Sequence, residues 1–218
     1  GGSALNSGQV FGKRVAVAIK RRRREQPVGP FDDAVWAEPL TALLATATGF
    51  IEGKSQLTPK EVKTEIQARM SDHAAMICNQ ADVRSALEAA RALRKRIEAE
   101  GLSVSSPAMV VQAFRWQQMA LVSEAVLAAL DHYISHGGGS RGARAICADD
   151  GTQCPEAYRE DLSRFRFVEE KEADKQQRLV VRFTNGSFEV WPEPVQTEAE
   201  PQREFFEKGW GPYLIKEG

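Results

Sequence analysis

A glycine pair followed by small and polar residues is the first place in this chain where chemistry could occur. Residues 1–20 read GGSALNSGQVFGKRVAVAIK. Gly1, Gly2, Ser3, Ala4, Leu5, Asn6 and Ser7 lead into an apolar stripe at helical spacing, Val10, Phe11, Val15, Ala18 and Ile19. A glycine-rich turn feeding a helix N-terminus presents unbonded backbone N–H groups and a positive dipole end to an electron-rich ligand. The plainer alternative is an ordinary helix start with Ser or Asn as cap. His132 and His136 offer a second possibility, because imidazoles at i and i+4 share a helix face and can hold a metal. No carboxylate pair completes that set, so solvated or capping histidines are the simpler reading. Cys147 and Cys154 flank the turn signal Asp149-Asp150-Gly151. They could pair across a hairpin or share a metal with His136, although free thiols in a reducing, cytoplasmic setting are the plainer expectation. Ser140-Arg141-Gly142-Ala143-Arg144 is either an anion site or a structural corner built on arginine ion pairs, and we take the corner. No HExxH, no ordered Ser/His/Asp set and no calcium loop is present. The sequence therefore names no catalytic residue and no metal.

Composition bounds the rest. The chain has 218 residues, 42% of them hydrophobic and 27% charged, with formal net charge −1. That is ordinary for a globular protein, and no global field draws nucleic acid or an anionic membrane. Residues 20–24 are all basic, but no second basic stripe or stacking aromatics accompany them. We read them as a solvated helix end, where cations suit the dipole. No apolar run is read as approaching the roughly 20 residues of a membrane helix, so no direct span is expected.

The elements that must position these residues are mostly helical. Residues 1–24 form a first helix. Pro39 makes a broken or late-starting helix of residues 31–51. Thr58 and Glu61 form a capping box with Pro59 at the first helical position, opening a helix expected to reach about Cys78. Asp82 starts another, with a stripe of Val83, Leu87, Ala90, Leu93 and Ile97, and Gly101 stops it. Ser106-Pro107 opens a third, which ends at Gly137-Gly138-Gly139. Asn185-Gly186 between β-branched and aromatic runs marks a hairpin. The expected fold is mainly α: a three-helix bundle over 57–145, preceded by a linker or helical excursion over 25–56, with a β-hairpin and extended tail over 146–218.

Four stretches in order resemble the C-terminal region of the fumarate reductase/succinate dehydrogenase/L-aspartate oxidase family of FAD-dependent flavoproteins. Gly1-Gly2-Ser3-Ala4-Leu5-Asn6, then Val10-Phe11-Gly12-Lys13-Arg14, resembles the family's last FAD-contacting helix, although only the central Leu of its Ser-Leu-Leu is kept. Leu57-Thr58-Pro59 with Glu61 to Met70 resembles its next helix. Phe114 to Tyr133 with the Ser140–Arg144 corner resembles its last helix. Phe205-Phe206-Glu207-Lys208-Gly209-Trp210 resembles its closing pattern. The resemblance implies that Gly2, Ser3, Ala4, Leu5, Asn6 and Ser7 meet the flavin of FAD through backbone N–H groups. It also implies an FAD-binding domain or subunit upstream, which carries the phosphate cradle and the catalytic arginine, and an iron–sulfur electron-transfer subunit as a possible partner. This chain would buttress that domain, not turn over by itself. The alternative is a non-enzymatic helical module that binds a partner helix through the face of residues 107–135.

Overall fold

The computed structural model describes residues 2–25, 33–154, 162 and 164–195, without the side chains of 2–6 and 33. Five α-helices and five strands follow one another in these segments: α1 (Gly2–Glu25), α2 (Asp33–Glu52), α3 (Pro59–His73), β1 (Ile77–Asn79), α4 (Gln80–Glu100), α5 (Val110–Ser135), β2 (Ala145–Gln153), β3 (Arg166–Phe167), β4 (Gln177–Thr184) and β5 (Ser187–Pro194). The chain divides into two compact units, Gly1–Thr46 and Ala47–Gly218.

In the first unit the apolar stripes face outward. Val10, Phe11, Val15 and Ile19 of α1 are exposed, as are Val35, Trp36, Leu40, Leu43 and Leu44 of α2. Pro39 does not break α2, which runs through it. The proline sits in the second turn, where its missing N–H removes one helical hydrogen bond. Ala34–Glu52 has a mean hydropathy of 1.3 and is only 6% buried, so by length and composition it could cross a membrane. That corrects the expectation that no run approaches this length. Pro39, three threonines and Gly49 interrupt the run in sequence, but Thr41 and Thr46 donate to the carbonyls of Ala37 and Ala42, four residues back, which satisfies their hydroxyls within the helix.

The second unit is built on α3, α4 and α5. One buried cluster joins Phe50, at the end of α2, to Leu57, Val62, Ile66, Leu93, Ile97, Leu102 and Ala113. The other joins Val83, Leu87 and Ala90 of α4 to Leu127, Leu130 and Ile134 of α5, with Cys78 and Ile146 from the sheet. Burying a side chain such as Leu127 stabilises by about 1.5–3 kcal/mol. Thr58 caps α3 as expected: its hydroxyl oxygen accepts from the Glu61 N–H and the Glu61 carboxylate accepts from the Thr58 N–H, at 3.3 and 2.8 Å. Asn79 caps α4, and Gly101, with φ 72°, ends it. The core is wider than three helices, because a sheet in the order β1-β2-β3 packs on it.

That sheet is the main departure from the sequence reading. α3 stops at His73, five residues short of Cys78, and residues 77–79 are a strand parallel to β2. The physical reason lies seventy residues away. The Arg144 guanidinium donates to the carbonyls of Ala74 and Ala75 at 2.9 and 3.2 Å, and the Ala145 N–H donates to the Met76 carbonyl. These donors satisfy carbonyls that would otherwise seek the next helical turn. Along β2, Cys147 and Thr152 both align with Phe167, so residues 148–151 bulge between them. The Asp149-Asp150-Gly151 turn signal is that bulge.

The hairpin forms as read, β4 pairing antiparallel with β5. Asn185 and Gly186 carry φ of 50° and 79°, the left-handed pair that a two-residue turn between right-twisted strands requires. Pro192 and Pro194 belong to β5 rather than to an extended tail. Phe205, Phe206, Glu207, Lys208, Gly209 and Trp210 lie outside the described residues.

Candidate functional site

Gly2, Ser3, Ala4, Leu5, Asn6 and Ser7 make up the first turns of α1. Gly2 is already helical and opens α1. The first four N–H groups of any helix lack intrahelical acceptors, which leaves this end able to donate to a ligand. The side chains of Gly2 to Asn6 lie outside the described residues, and Ser7 is exposed.

The second unit gathers its chemistry-bearing residues at the C-terminal end of α5. The rings of His132 and His136 stack with centroids 4.0 Å apart and planes 22° from parallel. Nδ1 of His136 lies 2.7 Å from the His132 carbonyl oxygen, so it is the protonated nitrogen and Nε2 is left for another partner. Burial pulls the His132 pKa below its ordinary value; His136 adds to that, and Asp131 opposes it. The Tyr133 hydroxyl reaches the Gly139 carbonyl at 2.9 Å and an Asp174 carboxylate oxygen at 3.2 Å. Burial first, then the Asp174 charge, raises the Tyr133 pKa. Gly138 is required here, since a Cβ would stand 2.5 Å from the Tyr133 ring. These side chains, with Arg141, Arg178, Leu179 and Pro192, line a cleft of about 470 Å³ between α5, the corner and the hairpin.

Both arginines of the Ser140–Arg144 corner make structural contacts. Arg144 holds the end of α3, as described above. Arg141 places Nη1 on the Asp174 carbonyl oxygen and Nε 3.2 Å from the Glu170 carboxylate. Ser140 accepts from the Ile146 N–H at 3.0 Å. Gly139 has the Glu169 carbonyl so close that any side chain would clash. Cys78, Cys147 and Cys154 are free thiols. Burial raises the pKa of Cys78 and of Cys147, which keeps both protonated and weakly nucleophilic. No three His, Cys, Asp or Glu side chains stand close enough together to hold a metal among the described residues.

Two charged features escaped the sequence reading. Glu124, 1% exposed, accepts from Arg94 Nε at 2.6 Å, and Arg91 approaches its other oxygen at 3.6 Å. Arg94 also donates to Glu98 at 2.7 Å and to the Gly186 carbonyl at 2.8 Å, tying the hairpin turn to α4 and α5. Burial works against the Arg94 charge, but the hydrogen bonds to Glu124 and Glu98 outweigh it and its pKa rises. The available signal was Glu124 standing amid the apolar run of α5. The other feature is Arg69, 7% exposed on the core side of α3. Nη1 donates to Glu65, yet Nε and Nη2, like Nδ1 of His73, are buried without a hydrogen-bond partner among the described residues.

No family model and no curated protein matches the sequence. Among solved structures, a mutant E. coli quinol fumarate reductase FrdA is similar in fold, with a TM-score of 0.56 at 11% sequence identity. The match covers 82% of this chain and 28% of that one, so the chain spans little more than a quarter of its neighbour. At this identity the likeness is one of fold.

Proposed function

We propose that this chain is the C-terminal part, or a separate subunit, of an FAD-dependent oxidoreductase of the fumarate reductase/succinate dehydrogenase type. It supports a flavin domain and carries none of the catalytic residues. The observation that carries this reading is the agreement between fold likeness and motif order. The stretches that resemble the flavoprotein family stand at joints of the architecture: Thr58-Pro59 opens α3 and Ser140–Arg144 turns the chain after α5. The uncovered apolar side chains of α1 and α2 support it too, since helices with exposed apolar stripes are what a body cut from a larger core presents. In this reading the α1 N-terminus, Gly2 to Ser7, donates backbone N–H groups to the flavin's pyrimidine edge. FAD, when bound, supplies the hydride chemistry, and this chain orients one edge of it. An iron–sulfur subunit is a further partner, and the free thiols fit a reducing cytoplasm.

The test is to purify the chain alone and together with the protein encoded immediately upstream. The chain alone is expected to be colourless, and the joined product to show flavin absorbance, with FAD confirmed by mass spectrometry. A start codon directly before residue 1, with no flavoprotein partner, would overturn the reading. That outcome would favour the non-enzymatic helical module, which the exposed Val111, Met119, Val122 and Val126 along α5 support.

A further inference from the structure

The cleft at the end of α5 is independent of any flavin reading, because every residue that forms it belongs to the second unit. Its wall carries donors with unused capacity. Arg141 commits Nε and Nη1 to Glu170 and the Asp174 carbonyl, which leaves Nη2 uncommitted among the described residues. Arg178 commits Nη2 to Glu193 at 3.0 Å, which leaves Nε and Nη1 uncommitted among the described residues. The stacked imidazoles of His132 and His136 stand at the same cleft. Leu179 and Pro192 give it an apolar side. Its volume of about 470 Å³ accommodates a small organic molecule rather than a lone ion.

We propose that this cleft binds a small organic oxyanion, a carboxylate or a phosphate monoester, between the free guanidinium edges of Arg141 and Arg178, with its body against Leu179 and Pro192. Planar guanidinium donors match the paired oxygens of both groups, so the chemistry recognised is the same for either source. The histidines lie beside the anion and report its arrival. Asp174 also lines the cleft, and one of its carboxylate oxygens accepts from the Tyr133 hydroxyl at 3.2 Å.

The chain has three histidines, so their Cε1–H signals can be followed individually by NMR, with His73 on α3 as internal reference. We would titrate the full chain with benzoate, succinate and adenosine monophosphate at constant ionic strength set by chloride. Saturable movement of the His132 and His136 signals with at least one of the three, and no movement of His73, is expected. Tighter binding of the nucleotide assigns a phosphate monoester, and tighter binding of benzoate or succinate assigns a carboxylate. Arg178→Gln is expected to weaken binding about tenfold, as loss of a charged hydrogen bond would. Arg178 is exposed on the hairpin, so its variant is not expected to unfold the chain; Arg178→Lys, which keeps the charge but not the fork, should recover part of the loss. No saturable movement with any probe, or an affinity unchanged in Arg178→Gln, would overturn the proposal.

Discussion

The two units use the same kind of helix to opposite ends. In α4 the stripe of Val83, Leu87, Ala90, Leu93 and Ile97 is buried. In α1 the stripe of Val10, Phe11, Val15 and Ile19 is roughly half exposed at every position. Periodicity is clear in both, so it identifies a face that needs covering but not what covers it. The second unit covers the α4 stripe with neighbouring helices, the sheet and the hairpin, and ties the hairpin turn to α4 and α5 with a buried ion-pair network. The helices of the first unit have no such closure among the described residues.

Substitutions should separate the units by size of effect. Glu124→Ala leaves the Arg94 charge buried and loosens the hairpin turn; it should cost about 3–5 kcal/mol in urea unfolding. A cost below 1 kcal/mol would mean that the network does not bind the unit together. Leu127→Ala should cost about 2–5 kcal/mol through the cavity it leaves. Thr58→Ala, which removes one cap, should cost about 1 kcal/mol. Val15→Ala or Leu43→Ala should stay within about 0.5 kcal/mol for the isolated chain. A large cost at Val15 or Leu43 would break the comparison. Arg69→Met sharpens it from the other side: removing two unpartnered buried donors should be neutral or stabilising by about 1 kcal/mol.

The smallest expected effect is on pH. The folded pKa of His132 lies below its ordinary value of about 6.5, so the unfolded chain binds the proton more readily. The contribution is therefore fully present above pH 6.5 and is lost as the pH falls toward the folded value. His132→Gln should flatten the slope of stability against pH just below 6.5, measured by unfolding midpoints. An unchanged slope would show that His132 is solvated like a free histidine.

Much of the fold was legible because its signals are local. The Thr58–Glu61 box, the Gly101 stop and the Asn185-Gly186 turn each depend on backbone geometry within four residues. The end of α3 was not legible, because Arg144 and Ala145 supply its acceptors' donors from seventy residues away. Nor was the cleft, since His132 and His136 signal only a helix face until Arg141, Arg178 and Pro192 are brought beside them. The six N-terminal residues of the proposed flavin contact could be named from sequence only by resemblance, because a backbone N–H contact leaves little mark on side-chain identity.

By itself, then, the sequence determined where α3 starts, where α4 stops, which faces are apolar and how the hairpin turns. These follow from dihedral preferences, local hydrogen bonds and periodicity. Tertiary structure alone decided that residues 77–79 leave the helix for a sheet, that Glu124 and Arg94 share a buried bond, and that the stripes of α1 and α2 stay uncovered. Each of those outcomes depends on groups distant in sequence competing for the same acceptor or the same surface, and local preference carries no information about that competition.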